Sequence, residues 1–251
     1  VNAGVRASRP AIQLLPRPVR RFGRRTANRL GFDIDRDPFP PRLVRLCDTA
    51  GVDTVVDGGA NTGQYAGMLR AAGFAGRIVS CEPLSGPYRE LAAAAARQPT
   101  WTAVRTALGD QQGAIRVHVA GNSQSSSVLE MLPAHLAAAP ESRYVGAEEA
   151  PVTTVDRLCE RYRIDPARCL LKLDVQGYEG QVLAGAGGVL PRLAAVQLEM
   201  SLVPLYAGQP LLPELVGRLA EHGLDLWAVQ PGFSDARSGR MLQCDGVFVR
   251  R

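Results

Sequence analysis

The stretch Thr54 to Tyr65, TVVDGGANTGQY, carries the decision about the fold. It opens with apolar β-branched residues suited to a strand, passes through Asp57 and a cluster of small residues, and then places Tyr65, Met68 and Leu69 at the spacing of a helix face. That is strand, tight turn, helix. Gly58, Gly59 and Gly63 let the backbone adopt positive φ or approach a ligand, and a new helix offers unpaired N–H groups at this point. Such a crossover normally belongs to a parallel sheet with a ligand crevice at its carboxyl edge. A plain strand-to-helix turn reads the same way, so the rest of the chain has to decide.

With 251 residues and 46% apolar content there is chain for one large α/β domain and a modest accessory segment. No apolar run reaches about 18 residues, and the first residues hold too many arginines and prolines for a secretory h-region, so a cytoplasmic location is expected. Cys47, Cys81, Cys159, Cys169 and Cys244 are odd in number and contain no CxxC pair, which favours buried thiols over zinc or disulfides. Lys172 is the single lysine among 29 basic residues.

The net charge of +5 is unevenly placed: residues 1–50 hold eleven arginines against four aspartates, leaving about −2 on the other 201 residues. A body without positive surplus argues against nucleic acid as a partner. The run PRPVRRFGRRTANRLGF, Pro16 to Phe32, is either a solvated arm or a peripheral contact for an anionic membrane surface, where each Arg contributes on the order of 1 kcal/mol. Pro38, Pro40 and Pro41 precede an expected short helix at Leu43 to Cys47. Residues 1–50 thus read as a basic arm with a leading helix, and 51–251 as the main domain.

From Asp53 onward strands and helices alternate: strand 53–57, helix 62–72, strand 77–81, helix 88–97, strand 101–106 and a hairpin strand 114–120. Glu82 follows the second strand about 20 residues beyond the glycine turn, where an acid accepts hydrogen bonds from ribose hydroxyls, and Pro83 fixes the chain beside it. Asp110 is either an adenine contact, with Leu108 packing on the ring, or a turn former ahead of Gly113. NSQSSS, Asn122 to Ser127, reads as a polar loop at the ligand edge, and Val128 to Gly146, with His135, as an amphipathic cover; the cover segment spans about 122–150. A helix is expected at 152–162, capped by Thr154 or Asp156. CLLKLDV, Cys169 to Val175, and AAVQLEM, Ala194 to Met200, read as buried strands ending in the acids Asp174 and Glu199, which fall on the same edge as Asp57. A helix at 211–222 and strands at 224–229 and 243–249 complete the pattern.

VVDGGANTGQYA, CEP at 81–83, ALGD at 107–110, LKLDVQGYE at 171–179, LEM at 198–200 and DGVFVR at 245–250 together resemble the FkbM-type S-adenosylmethionine-dependent O-methyltransferases. The resemblance implies an α/β class I methyltransferase (Rossmann-like) core of seven mostly parallel strands, the last antiparallel, with helices on both faces. It also implies that Asp57, Gly58, Gly59, Ala60, Asn61, Thr62 and Gly63 line the methionine portion of the cofactor, Glu82 the ribose and Asp110 the adenine, while Asp174 faces the methyl-transfer zone. Many relatives carry an acid where this chain has Gln176, which disfavours a Mg²⁺ site there. Family acceptors are hydroxyls of sugars, glycolipids or secondary metabolites.

A hydroxyl needs a group to take its proton during attack. Asp174 is the first candidate for that base, Glu199 the second, and His135 an outsider. No histidine or cysteine pattern supplies a metal site, and Mg²⁺ held by acids and waters is possible but not favoured. The rival readings are an NAD-dependent reductase, against which GGANTG departs from GxGxxG, and a non-catalytic binding protein retaining the fold.

Overall fold

Strands that are apolar on both faces need helices on both sides, and the central sheet is covered in that way. A computed structural model describes residues 39–251, so the arginine-rich segment 16–32 lies outside the described residues. The strands are β1 (Thr54–Gly58), β2 (Arg77–Cys81), β3 (Trp101–Val104), β4 (Ala107–Leu108), β5 (Gly113–Ala120), β6 (Tyr144–Thr153), β7 (Cys169–Leu173), β8 (Ala195–Ser201), β9 (Leu224–Pro231) and β10 (Gln243–Arg250). The helices are α1 (Phe39–Thr49), α2 (Gln64–Ala72), α3 (Ser85–Ala95), α4 (Pro133–Ala138), α5 (Val155–Tyr162), α6 (Glu179–Ala184) and α7 (Leu212–Glu221).

The main sheet has seven strands in the order β3-β2-β1-β7-β8-β10-β9. β3, β2, β1, β7 and β8 run parallel, and β10 is antiparallel to both of its neighbours. This is the Rossmann-like arrangement expected, with the last strand reversed. Period-two alternation sends Val55, Leu170, Ala195 and Val247 into a core with α1, α2 and α3. Their chain neighbours Val56, Leu171, Val196 and Phe248 pack on the other face against α5, α6 and α7.

On the α1/α2 face the apolar rows give way to polar ones toward the carboxyl edge. Two residues on from Val55, Leu170 and Ala195 stand Asp57, Lys172 and Gln197, and the register puts Asp57 beside Lys172 and Lys172 beside Gln197. Glu199 pairs across from Asp245 of β10.

A second sheet of three strands, β4-β6-β5, lies apart from the first. Here the structure departs from the sequence reading. The segment 144–153 is a strand antiparallel to β5, and the next helix begins only at Val155. β6 buries just Ala150 and Val152 and otherwise carries exposed or half-exposed residues, including two glutamates and a proline, so its alternation is too sparse to read. Of the two expected caps, Thr154 takes the role, its side chain accepting the Arg157 N–H at 3.1 Å. Asp156 instead accepts the N–H groups of Gly188 and Val189 at 2.9 and 3.0 Å. All five cysteines are free and buried.

Lys172 is buried, with Nζ 3.2 Å from Asp57 Oδ1 and 3.6 Å from Asp174 Oδ2. Asp57 is fully buried, and its other oxygen accepts the Ser80 hydroxyl at 3.0 Å, which in turn accepts the Trp101 indole N–H at 3.0 Å. Removing the ammonium leaves Asp57 as a buried charge without a counter-charge. Lys172→Met is therefore expected to cost about 3–5 kcal/mol, read as a lowered denaturation midpoint. A midpoint within 0.5 kcal/mol of wild type, as an approximate limit, would show that the pair does not hold the fold.

Candidate active site

A cavity of about 510 Å³ opens at the carboxyl edge of the sheet. Gly59, Ala60 and Asn61 from the turn after β1, Glu82 and Pro83 after β2, and Leu108 of β4 form one side of it. Asp174, Val175 and Gln176 after β7, Glu199 of β8 and the loop Asn122 to Val128 form the other, together with His135 of α4. The glycine turn is held from below: Gly59 and Ala60 donate to the Cys81 carbonyl at 3.1 and 3.0 Å. Gly59 has φ +72°, and a Cβ there would overlap the Asp174 carbonyl oxygen. This glycine lets β1 and β7 close on each other just below the cavity.

Five of the residues expected to contact the cofactor do not line this cavity: Asp57, Gly58, Thr62, Gly63 and Asp110. Asp57 is buried against Lys172, so its charge is spent inside the sheet. Gly58 faces Leu108 and Leu173, where a Cβ would lie 2.8 and 3.0 Å from their methyl carbons. Gly63, at φ +92°, packs on the Trp101 ring, and the Thr62 N–H is taken by Asn61 Oδ1 at 2.8 Å. Asp110 is exposed in the bend before Gly113.

Glu82 accepts the Asn61 N–H on Oε2 at 2.8 Å and the Leu84 N–H on Oε1 at 2.9 Å. Burial pushes its carboxyl up to about 7, against the pull of these two N–H groups. Each oxygen keeps a lone pair, and the residue lines the cavity.

Across the cavity, the Gln176 side chain ties the two strand-end acids together. Its Nε2 donates to Asp174 Oδ1 at 2.8 Å and to Glu199 Oε2 at 2.9 Å, while its Oε1 accepts the Tyr206 hydroxyl at 2.6 Å. The two carboxyl oxygens need a donor between them, which fixes the nitrogen end of the amide on their side. Gln176 has φ +54°, uncommon for a residue with a side chain, and its carbonyl accepts the Ser127 hydroxyl at 2.6 Å. Gln243 donates to the same Glu199 oxygen at 2.8 Å. Burial, then the charges of Asp174, Glu179 and Asp245, push Glu199 well above the usual carboxylate range.

His135 is buried on the cavity wall between Tyr206 and Phe233, with ring centroids 5.1 and 5.4 Å away. Its Nδ1 has no hydrogen-bond partner, and burial lowers its pKa. The three candidate bases thus line one cavity, but only Asp174 and Glu199 share a hydrogen-bonded network. Tyr206 and Gln243 escaped the sequence reading, because nothing in their local pattern separates them from ordinary loop and strand residues, and Ser127 was seen only as the end of the polar loop. Gln176 stood out only as a departure from its relatives. Among the described residues no group of three or more His, Cys, Asp or Glu side chains is placed to hold a metal ion.

The model of the family described as "Methyltransferase FkbM domain" matches residues 57–226. The chain belongs to the FkbM methyltransferase family. It is an S-adenosylmethionine-dependent methyltransferase by family and by fold. No curated protein matches the sequence significantly. Among solved structures it is similar to the 1,6-didemethyltoxoflavin-N1-methyltransferase of Burkholderia thailandensis, at 14% identity and TM-score 0.42, over 100% of this chain and 93% of that one. An rRNA methylase from Streptococcus thermophilus is similar at 9% identity and TM-score 0.44, over 83% and 96% of the two chains. Aeropyrum pernix fibrillarin is similar at 13% and 0.40, over 79% and 66%.

Burial raises Glu82 and Glu179 to about 7, and burial with the Asp174 charge raises Asp245 to about 6. These carboxyls hold protons more tightly when folded than when unfolded, so their stabilising effect is complete below about pH 4 and is lost as pH rises through the folded values. His135, lowered by burial, acts in the opposite sense below about pH 6.5. The cofactor-free protein is expected to melt at a lower temperature at about pH 7.5 than at about pH 5.5, and Glu179→Gln to flatten that slope. A melting temperature that climbs over this interval would contradict the assigned burial.

Proposed function

We propose that the protein transfers the methyl group of S-adenosylmethionine to a hydroxyl of a sugar, glycolipid or related secondary metabolite. The observation that carries this reading is the Asp174–Gln176–Glu199 network facing a wall of hydroxyl and amide groups, Asn122 to Ser127, across one cavity. Such a wall suits a ligand rich in hydroxyls and offers little to an apolar one. When bound, the cofactor supplies an electrophilic methyl on a positively charged sulfur. Glu82 would accept from its ribose hydroxyls, Gly59 to Asn61 would hold the methionine portion, and Leu108 would pack on the adenine.

An alcohol is a poor nucleophile, and a carboxylate that takes its proton during attack contributes roughly 10²–10⁴-fold. Asp174 leads the candidates on sequence, but Lys172 lies 3.6 Å from it and competes for its negative charge. Glu199 is held by Gln176 and Gln243, and burial and the neighbouring acids raise its proton affinity, which strengthens its carboxylate as a base. On that ground Glu199 takes the proton, Asp174 orients the hydroxyl and Gln176 keeps the two acids in register.

Labelled methyl transfer from S-adenosylmethionine into glycolipid and small-metabolite pools of the source cells, followed by mass spectrometry, tests the reaction. Label on oxygen of a sugar or metabolite is expected; cofactor binding with no transfer would support the non-catalytic reading. Turnover should rise with pH as Glu199 loses its proton. Glu199→Gln should remove that rise and at least about a hundredfold of turnover, whereas Asp174→Asn should cost about tenfold and keep the rise. The reverse ranking would return the base to Asp174. Glu82→Gln should weaken cofactor binding at least about tenfold by calorimetry, and equal affinities would remove Glu82 from the cofactor site.

No helix among the described residues is long and apolar enough to cross a membrane. The acceptor is read as a small molecule or a lipid-linked sugar, and the location as cytoplasmic with peripheral contact at the inner membrane face through segment 16–32. Replacing Arg20, Arg21, Arg24 and Arg25 by Gln should reduce sedimentation with anionic vesicles, and added salt should do the same to the wild type. Sedimentation unchanged by both would leave the segment without that role.

A further inference from the structure

A second cavity, of about 330 Å³, opens on the α1/α2 face of the sheet. It shares Gln64, Tyr65, Lys172 and Asp174 with the main cavity, so Asp174 stands in the wall between the two. Its floor is the polar end of the strand face whose other end is apolar: Gln197 and Asp245, with Gln230 of β9 beside them. Phe39 and Met68 supply an apolar rim.

These groups are only partly satisfied within the protein. Gln197 Oε1 accepts the Tyr65 hydroxyl at 2.7 Å. Among the described residues the half-buried Gln230 amide has no hydrogen-bond partner. Asp245 is held up near 6 by burial and by the charge of Asp174, with Lys172 and Gln197 pulling the other way. Gln197 also hydrogen-bonds Asp245, while Gln230 and Asp245 are half-buried and keep hydrogen-bonding capacity open to the cavity. A ligand bearing hydroxyls can exchange hydrogen bonds with these groups in place of water.

We propose that the second cavity is the acceptor subsite and takes one uncharged, hydroxyl-bearing ring, a pyranose unit, whose reacting hydroxyl reaches past Asp174 toward the main cavity. This rests on the methyl-transfer reading above. Two amides and a carboxylate pair with hydroxyls in either sense, donor or acceptor, and Met68 gives the C–H side of a ring an apolar contact. The charges select against anions: Lys172 is already matched by Asp57, and Asp174 and Asp245 repel a phosphate or a uronate. The volume lies within the range of small-molecule sites, roughly 300–1,000 Å³.

The chain has four methionines, Met68, Met131, Met200 and Met241, and of these only Met68 lines either cavity. Protein carrying ¹³C-methyl methionine and saturated with S-adenosylhomocysteine is titrated with the methyl glycosides of glucose, mannose and rhamnose. At least one glycoside at tens of millimolar should shift the Met68 resonance saturably and leave the other three in place. Gln230→Leu, near the sheet edge, should weaken that titration at least about fivefold with the S-adenosylhomocysteine affinity unchanged. A Met68 resonance that ignores all three glycosides, or a titration indifferent to Gln230→Leu, would overturn the assignment. Labelled-methyl transfer to the same glycosides separates the two readings. Binding at Met68 without label would keep the subsite and sink the transfer reaction. Label entering a glycoside that leaves Met68 unmoved would keep the reaction and sink the subsite.

Discussion

One buried ammonium holds the carboxyl edge of the sheet together. Lys172 lies against Asp57 and Asp174, points toward the carbonyls of Gly58 and Gly59 at 3.4 Å each, and sits 5.2 Å from the centre of the Tyr65 ring. Burial alone would strip its proton; the two carboxylates outweigh that and raise its pKa. The arrangement locks the end of β1 to the end of β7 just where Gly59 permits their backbones to meet. It also makes Asp174 a residue with two duties, since one oxygen belongs to the internal lysine and the other to the Gln176 amide at the cavity.

Gln176 handles the converse problem, two acids held close without a cation between them. A neutral amide with two donors satisfies one oxygen of each and leaves the charge of Asp174 uncompensated beside Glu199, which adds to burial in raising the proton affinity of Glu199. The same residue is anchored from the cover, by Ser127 to its carbonyl and by Tyr206 to its side chain, and the Tyr206 hydroxyl also lies 3.2 Å from the Ser125 carbonyl. Loop, tyrosine and acids therefore form a single hydrogen-bonded unit, so a shift of the loop is felt by the carboxylates.

The alternation of the main sheet was legible because its strands are buried on both faces, and CLLKLDV or RIVSC admits few other readings. The burial cost of a charge within CLLKLDV already called for a partner for Lys172, although the sequence alone did not name Asp57. The small sheet was hidden because β6 is mostly exposed and therefore under little hydrophobic constraint. Acids at strand ends were visible as a pattern, whereas the amide that joins them depends on contacts more than 20 residues apart in sequence, from Gln176 to Glu199 and from Gln176 to Tyr206. No local spacing records such contacts.

A lone lysine inside the fold also gives the protein an unusual chemical profile. Acylating reagents that target amines need a neutral, accessible nitrogen, and the Lys172 side chain is 6% exposed and held protonated by its two carboxylates. Every other basic side chain in the 251-residue sequence is an arginine or a histidine, which such reagents do not label stably. Acylation at Lys172 would accordingly mark the moments when the carboxyl edge of β1 and β7 parts, a built-in reporter of local opening at the place where the ligand sites meet.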